Sequence, residues 1–103
     1  MKKIVVLFNL RTEANITEYE NWAKTTDLPT VKRLKSIDSF ELLKSVSMLG
    51  SAEAAPFQYI EILNINNFDI FSQEVSSEIM LKIAQEFQAF ADSPMFIVTE
   101  EIN

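Results

Sequence analysis

The architecture of this chain can be argued from five residues near its amino terminus, Ile4-Val5-Val6-Leu7-Phe8. Residues that are β-branched or aromatic favour an extended strand, here predicted over residues 3–10. Because successive side chains of a strand point to opposite faces, this strand is apolar on both of them. Such a strand belongs in the middle of a sheet that is covered on both sides. We therefore expect the fold to supply two covering layers.

A helix interrupted by a proline is predicted to follow this strand. Asn15 and Glu18 have the spacing of a capping box at a helix start, and apolar residues then recur at helical spacing. Pro29 has no amide donor and disfavours helical geometry at the residue before it. We expect one bent helix or two pieces, the second ending near Leu34.

Three further strands and a second helical region complete the pattern. Alternating side chains predict strands over residues 40–48 and 57–65, joined by a long connection that holds Gly50, the only glycine. Asn66 or Asn67 is expected to cap the next helical stretch, and a broad apolar stripe predicts a longer helix after it. The run Asp92-Ser93-Pro94 is expected to end that helix. The last strand is then predicted over residues 95–102.

The predicted order, β-α-β-β-α-β, describes one domain over residues 1–103. With right-handed crossovers it gives an α+β fold of the ferredoxin-like type, with a four-stranded antiparallel sheet. The helices of such a fold cover one sheet face only, yet the predicted strands are apolar on both faces. We therefore expect a second copy of the chain to pack against the open face, which would make a homodimer in the form of a dimeric α/β barrel.

Composition excludes several classes of function. The net charge of −6 disfavours nucleic acid and anionic membranes as partners. Without cysteine or histidine, thiolate and imidazole chemistry are excluded, and we expect no metal site. A single glycine is too few for a glycine-rich phosphate loop, so we expect no nucleotide cofactor. With no membrane-length apolar segment and no recognisable signal-peptide cleavage site, the expected location is the cytoplasm.

Several stretches, taken in chain order, resemble one protein family. They are residues 5–10 (VVLFNL), 19–31 (YENWAKTTDLPTV), 56–62 (PFQYIEI) and 86–92 (EFQAFAD), the last leading to TEE at 99–101. Together they resemble the RedY-like, or HapK-like, proteins of the dimeric α/β-barrel superfamily, found beside genes for prodiginine-type tripyrrole pigments. The resemblance implies a cofactor-independent protein acting on a planar aromatic intermediate of secondary metabolism. Cyclisation, dehydration or proton transfer would suit such a protein.

Asp27 is the first candidate catalytic residue. Many relatives in the wider superfamily carry a histidine before the proline that ends the first helix, and Asp27 stands at that place here. In a pocket lined by Trp22 and Tyr59, a carboxylate loses hydration and its pKa rises, which makes it an acid or base near neutrality. The alternative interpretation is a helix cap beside Pro29.

Glu61 and Tyr59 are the other candidate catalytic residues, and strand alternation puts them on one face. A carboxylate at the centre of a sheet is costly unless it is paired. Glu61 is therefore either a second acid–base group or half of an ion pair with Lys3 or Lys44. The hydroxyl of Tyr59 either donates to a substrate or hydrogen-bonds Glu61 or Asn9.

Three residues are candidates for binding the substrate. Asn9 could orient a carbonyl or serve as an ordinary amide at a strand end. Trp22 and Tyr19 share a helix face and could stack on a flat molecule or simply pack in the core.

Two functions of different classes are compatible with these residues. One is a cofactor-independent enzyme in which Asp27 moves a proton with help from Tyr59, Glu61 or Asn9. The other is a non-catalytic protein that binds or carries a hydrophobic pathway intermediate, and a dimeric accessory protein is a third possibility. The pattern is compatible with a pocket inside the protomer and with one at the dimer seam.

Overall fold

The order of elements along the chain confirms the predicted α+β topology. A computed structural model describes residues 2–103, so Met1, which the sequence analysis assigned to the same domain, lies outside the described residues. The elements are β1 (Lys2–Leu10), α1 (Ile16–Trp22), a π-helical turn (Ala23–Asp27), α2 (Leu28–Val31), β2 (Ile37–Lys44), β3 (Tyr59–Ile65), α3 (Phe68–Glu74), α4 (Glu78–Phe90) and β4 (Ala91–Glu100).

The four strands form one antiparallel sheet in the order β2-β3-β1-β4. The two strands that were predicted to be apolar on both faces, β1 and β3, occupy its centre. Along β1 the side chains of Ile4, Val6, Phe8 and Leu10 are buried, while those between them are half-buried. The helices therefore cover one face of the sheet, as a ferredoxin-like fold requires.

The core beneath the helices is built around the ring of Phe8. This ring stacks on Tyr59 of β3 at 5.5 Å and meets Phe87 of α4 edge-on at 4.9 Å. It also meets Tyr19 of α1 edge-on at 5.8 Å. Since burying one large apolar side chain contributes roughly 1.5–3 kcal/mol, this cluster fixes both helices on the sheet.

The first helical region is one bent helix with a π-helical turn in its middle. Asn15 caps it as predicted, because its side chain accepts a hydrogen bond from the amide of Glu18 at 3.0 Å. The backbone then stays right-handed helical through the π turn into α2, and the amide of Leu28 donates to the carbonyl of Ala23, five residues back. Pro29 cannot donate an amide hydrogen bond at the next position. The last helical residue is Val31, three residues earlier than expected.

The predicted bounds of β2 and β3 were shifted. Strand β2 begins at Ile37 and ends at Lys44, because these residues pair with Ile65 and Tyr59 of β3. β3 itself begins only at Tyr59, so the alternating residues beyond Lys44 have no strand opposite them, and Val46 is almost fully exposed.

The predicted start of β4 was late by four residues. The run expected to stop the helix lies inside the strand, at a β-bulge where the pairing with β1 shifts between Leu7 and Asn9. Ser93 takes up this irregularity with a positive φ of 46°. Such a backbone conformation is uncommon for residues other than glycine.

Helix α3 is tied to the turn that follows α2. The carboxylate of Glu74, at its last position, accepts hydrogen bonds from the amides of Lys35 at 2.9 Å and Ser36 at 3.0 Å, and from the hydroxyl of Ser36. These bonds, that of the hydroxyl foremost, lower the pKa of Glu74. Asn67 caps the other end by accepting from the amide of Ile70 at 3.0 Å. The C-terminal end of α3 is thereby fixed to the turn after α2, and its N-terminal end is capped locally.

The described helices are short, and α4 is the longest of them at 13 residues. Within residues 2–103, none has the length and apolar character needed to cross a bilayer.

Candidate functional site

An apolar cavity of about 190 Å³ lies between the helices and the covered face of the sheet. Apart from Asp27, Glu61 and Gln88, the residues that line it are apolar. Four phenylalanines contribute to its walls: Phe40, Phe71, Phe87 and Phe96. Cavities of roughly 150 Å³ with apolar walls accept a benzene molecule, so this one has room for a small ring system.

The cavity opens between α4 and the edge strand β4. Ala84 and Gln88 of α4 are exposed, and Phe96 of β4 is 58% exposed although its ring lines the cavity. The lining residues on β1 and β3 are buried. A small molecule can therefore enter from one side.

Asp27 faces this cavity from the end of the π turn. Its side chain is 4% exposed, and although it directly precedes α2 it makes no capping hydrogen bond. The structure therefore does not support the helix-cap interpretation. Burial raises the pKa of Asp27 from its usual value of 3.8 to about 7, since the charged form loses hydration.

Glu61 faces the same cavity from the middle of β3. It is 6% exposed, and its Oε2 atom has no hydrogen-bond partner among the described residues. The expected ion pair with Lys3 or Lys44 is not formed: Lys3 lies on the opposite sheet face, and Lys44 contacts Glu20 at 2.9 Å. Burial, and secondly the nearby charge of Asp27, raise the pKa of Glu61 to about 8.

The two carboxyl groups thus titrate near neutrality and influence each other. Because such neighbours titrate as a pair, their protons belong to the pair rather than to either residue alone. Close to pH 7 the pair holds an acid and a base on the wall of one apolar cavity. That is the arrangement general acid–base catalysis uses.

Tyr19 brings a third polar group into this interior. It is fully buried, and its hydroxyl has no hydrogen-bond partner among the described residues. Burial first, then the charges of Glu61 and Asp27, raise the pKa of this phenol, so it stays neutral and able to donate. It does not line the cavity itself.

Tyr59 and Trp22 do not line the cavity that contains Asp27, contrary to expectation. The hydroxyl of Tyr59 donates to Glu20 at 2.6 Å, not to Glu61 or Asn9, and borders a separate small pocket. Burial raises the pKa of Tyr59, and the bond to Glu20 adds to this. The indole of Trp22 donates to Glu86 at 2.9 Å and lines an outer groove beside α4.

Asn9 lies outside the site and has a structural role. Its side chain donates to the carbonyl of Pro56 at 3.1 Å and accepts from the amide of Gln58 at 2.9 Å. It therefore joins the end of β1 to the β2–β3 connection, as the strand-end interpretation expects.

The sequence analysis missed Phe96 and Gln88 at the mouth of the cavity. Gln88 lies beside the apolar stripe of α4, and Phe96 is one apolar residue among several in a strand. Neither position carries a sequence signal that separates it from ordinary core or surface. Within residues 2–103, no group of three acidic side chains is arranged to hold a metal ion.

Comparisons with known proteins agree with this fold. The structure of HapK from Hahella chejuensis superposes with a TM-score of 0.80 at 22% identity, covering 99% of this chain and 93% of that one. At3g17210 from Arabidopsis thaliana gives 0.81 at 14% identity, covering 100% and 97%. A mutant of SnoaB, a cofactor-independent oxygenase from Streptomyces nogalater, gives 0.72 at 16% identity, covering 99% and 93%.

Comparison with curated protein sequences found no significant match. The sequence profile of the family described as REDY-like protein HapK, by contrast, matches residues 2–102. With this match over nearly the whole chain, and with the same fold in HapK itself, the protein belongs to the HapK family of RedY-like proteins.

Proposed function

We propose that this protein is a cofactor-independent enzyme of secondary metabolism that binds a small aromatic intermediate in the cavity and moves a proton on it. The pathway would be that of a prodiginine-type or related aromatic pigment, and the reaction a cyclisation, a dehydration or a simple proton transfer. The observation that carries the proposal is the pair of buried carboxyl groups, Asp27 and Glu61, on the wall of one apolar cavity.

The two acids suit different roles. One carboxyl of the pair, ionised near pH 7, acts as the base, and the other, still protonated, supplies a proton to a second atom of the ligand. In a dehydration, the protonated carboxyl would protonate the departing hydroxyl while the ionised one removes the adjacent proton, so the products are water and an alkene or imine. General acid–base groups of this kind accelerate a reaction about 10²–10⁴-fold.

The proposal is supported by what the fold does elsewhere. SnoaB, which is similar in fold, is described as a cofactor-independent oxygenase. A protein of this architecture can therefore work without a cofactor. The family resemblance adds the pigment pathway as the source of the substrate.

A homodimer is part of the same proposal. The face of the sheet away from the helices presents apolar side chains, among them Leu7 and Ile60 on the central strands and Leu43 on the edge strand β2. At the edge of the same face, Met95 and Ile97 are also exposed. A second copy packed on this face would remove these side chains from water.

The experiment that tests the proposed activity incubates the protein in deuterated buffer with a panel of pyrrole and indole pathway intermediates. Mass spectrometry then detects loss of water, deuterium uptake or an isomer with a new retention time. We expect Asp27→Asn and Glu61→Gln to lower the rate by about 10²–10⁴-fold. Asp69→Asn, an exposed residue of α3, is the matched control and should keep the wild-type rate.

Two results would count against an enzyme. If wild type leaves every intermediate unchanged while one of them co-elutes with the protein, the protein is a carrier. If Asp27→Asn and Glu61→Gln turn over a substrate at the wild-type rate, the carboxyl pair is not the catalytic machinery.

A further inference from the structure

The ionisable side chains that line the cavity are acidic. Its only ionisable lining residues are Asp27 and Glu61, and no basic side chain is among the described residues that line it. The nearby Lys24 and Lys44 border the separate small pocket of Tyr59, where Lys44 contacts Glu20 at 2.9 Å. Nothing within the described walls compensates a negative charge on the carboxyl pair.

Among the described residues, the buried carboxyl of Glu61 also lacks a hydrogen-bond donor. The Oε2 atom of Glu61 accepts no hydrogen bond although it is buried, and a buried acceptor left unpaired costs about 1–3 kcal/mol. The β-sheet neighbours of Glu61 are Val6 and Leu42, whose side chains carry no donor. Of the helices, α1 holds the hydroxyl of Tyr19 outside the lining, and α4 contributes the neutral amide of Gln88 at the mouth but no ionisable residue.

The rest of the cavity favours an aromatic ligand that bears a cation. Phenylalanine faces attract positive charge within roughly 6 Å of the ring centre, and four phenylalanines line this cavity. The net charge of −6 on the whole chain attracts cations and repels anions at longer range. A ligand that combines an aromatic ring with positively charged N–H groups would thus satisfy both the walls and the acids.

We infer that the cavity selects small aromatic molecules with a positively charged nitrogen, an ammonium or amidinium, whose N–H groups bind Asp27 and Glu61. This inference rests on the proposed function, since it names the substrate class of the same site. It goes beyond that proposal because a neutral pyrrole or indole would serve acid–base chemistry equally well.

Binding of such a cation is coupled to proton release. The ligand favours the ionised carboxylates, whereas the empty site holds protons because the pKa values of Asp27 and Glu61 are about 7 and about 8. Below these values the cation must displace a proton as it binds. Its affinity should therefore rise by up to about tenfold per pH unit between about pH 6 and pH 7, and level off above pH 8.

The test uses three ligands of nearly one shape on the wild-type protein: benzamidine, benzamide and benzoate. They carry a positive charge, no charge and a negative charge on the same ring. By isothermal titration calorimetry, benzamidine should bind about tenfold or more tightly than benzamide, and benzoate should not bind. Titration in two buffers of different ionisation enthalpy should show proton release with benzamidine alone.

A variant then locates the selectivity. The double variant Asp27→Asn/Glu61→Gln should bring the affinities of benzamidine and benzamide within about twofold of each other, while benzamide still binds. Selectivity for the charged ligand is measured on the wild-type protein, so a folding defect in the variant does not affect that result.

Two results would overturn the inference, and they differ in what they imply for the proposed function. If benzamide binds wild type as tightly as benzamidine, the selectivity for charge is wrong, but an aromatic binding cavity and the proposed function stand. If none of the three ligands binds, the inference fails, and the turnover assay decides the proposed function by itself.

Discussion

Burying Asp27 and Glu61 without a basic partner lowers the stability of the folded protein at neutral pH. Proteins keep such groups at functional sites, where a shifted pKa is useful and stability is given up for it. Glu61 stood out as a carboxylate inside an apolar strand, and Asp27 because it stands where many relatives in the wider superfamily carry a histidine. The sequence could not show where the hydroxyl of Tyr59 points, since strand alternation assigns a face and not a partner.

The raised pKa values predict how stability depends on pH. In the unfolded chain these carboxyls lose their protons near their usual values of 3.8 and 4.5, but in the folded protein they keep them to about 7 and about 8. Between these limits the folded state binds more protons, so stability falls as pH rises through this range. We expect urea unfolding to give a lower free energy of unfolding at about pH 8.5 than at about pH 5.

Removing one ionisable carboxyl should therefore stabilise the protein on the alkaline side only. We expect Asp27→Asn and Glu61→Gln each to raise the free energy of unfolding by about 1–4 kcal/mol at about pH 8.5, with little change at about pH 5. The exposed Asp69→Asn should show no such difference between the two pH values. A loss of stability of equal size at both pH values would mean that the carboxyls are structural.

The bend between α1 and α2 shows what periodicity can and cannot predict. The cap at Asn15 and the interruption at Pro29 result from residue types with a local physical role. The π turn inserts one residue into the helical spacing, and this rotates the side chains of the later residues to a different face. The expectation that Trp22 lines the pocket of Asp27 was wrong, because Trp22 lies before the π turn and bonds Glu86 of α4, whereas Asp27 ends the turn and faces the cavity.

Pro29→Ala tests whether this turn is what holds Asp27 in the site. The substitution restores an amide donor that can reach the carbonyl of Thr25, so the segment can relax to an α-helix. If the π turn relaxes to α-helical spacing, Asp27 would rotate by about 100° out of the cavity. We expect the pKa of Asp27, measured by carboxyl ¹³C NMR, to fall toward its usual range, and turnover to be lost.

The matched control is Pro56→Ala, in the β2–β3 connection. It removes a proline without touching the first helix, so the pKa of Asp27 should stay near 7. If Asp27 keeps its raised pKa in Pro29→Ala as well, the surrounding packing rather than the proline positions this carboxyl.

At the scale of the whole molecule, the sequence was most informative about topology. Two strands that are apolar on both faces must lie at the centre of the sheet, and β1 and β3 do so. The ends of β2 and β4 were less predictable, because strand pairing and a bulge at Ser93 determine them rather than local residue type. The mouth of the cavity depends on how α4 lies against β4, and no short sequence pattern encodes that contact.

The proposed homodimer predicts the mass of the protein in solution. Ile60 lies between Leu7 and Leu43 on the open face of the sheet, so a charge placed there would be buried by a second copy. Burying an unpaired ammonium is strongly unfavourable. In light scattering after size exclusion, wild type should have twice the protomer mass and Ile60→Lys the protomer mass, with circular dichroism unchanged.

Ile16→Lys is the control for that experiment, because Ile16 is exposed at the start of α1 on the helical side and should leave the dimer intact. A wild-type protein of protomer mass, or a dimeric Ile60→Lys, would contradict the proposal. The cavity lies on the helix-covered face of the sheet, opposite the proposed dimer face, so the dissociated variant should still bind benzamidine with wild-type affinity. If dissociation instead abolished binding, the second copy would have to shape the cavity through the sheet on which Glu61 lies.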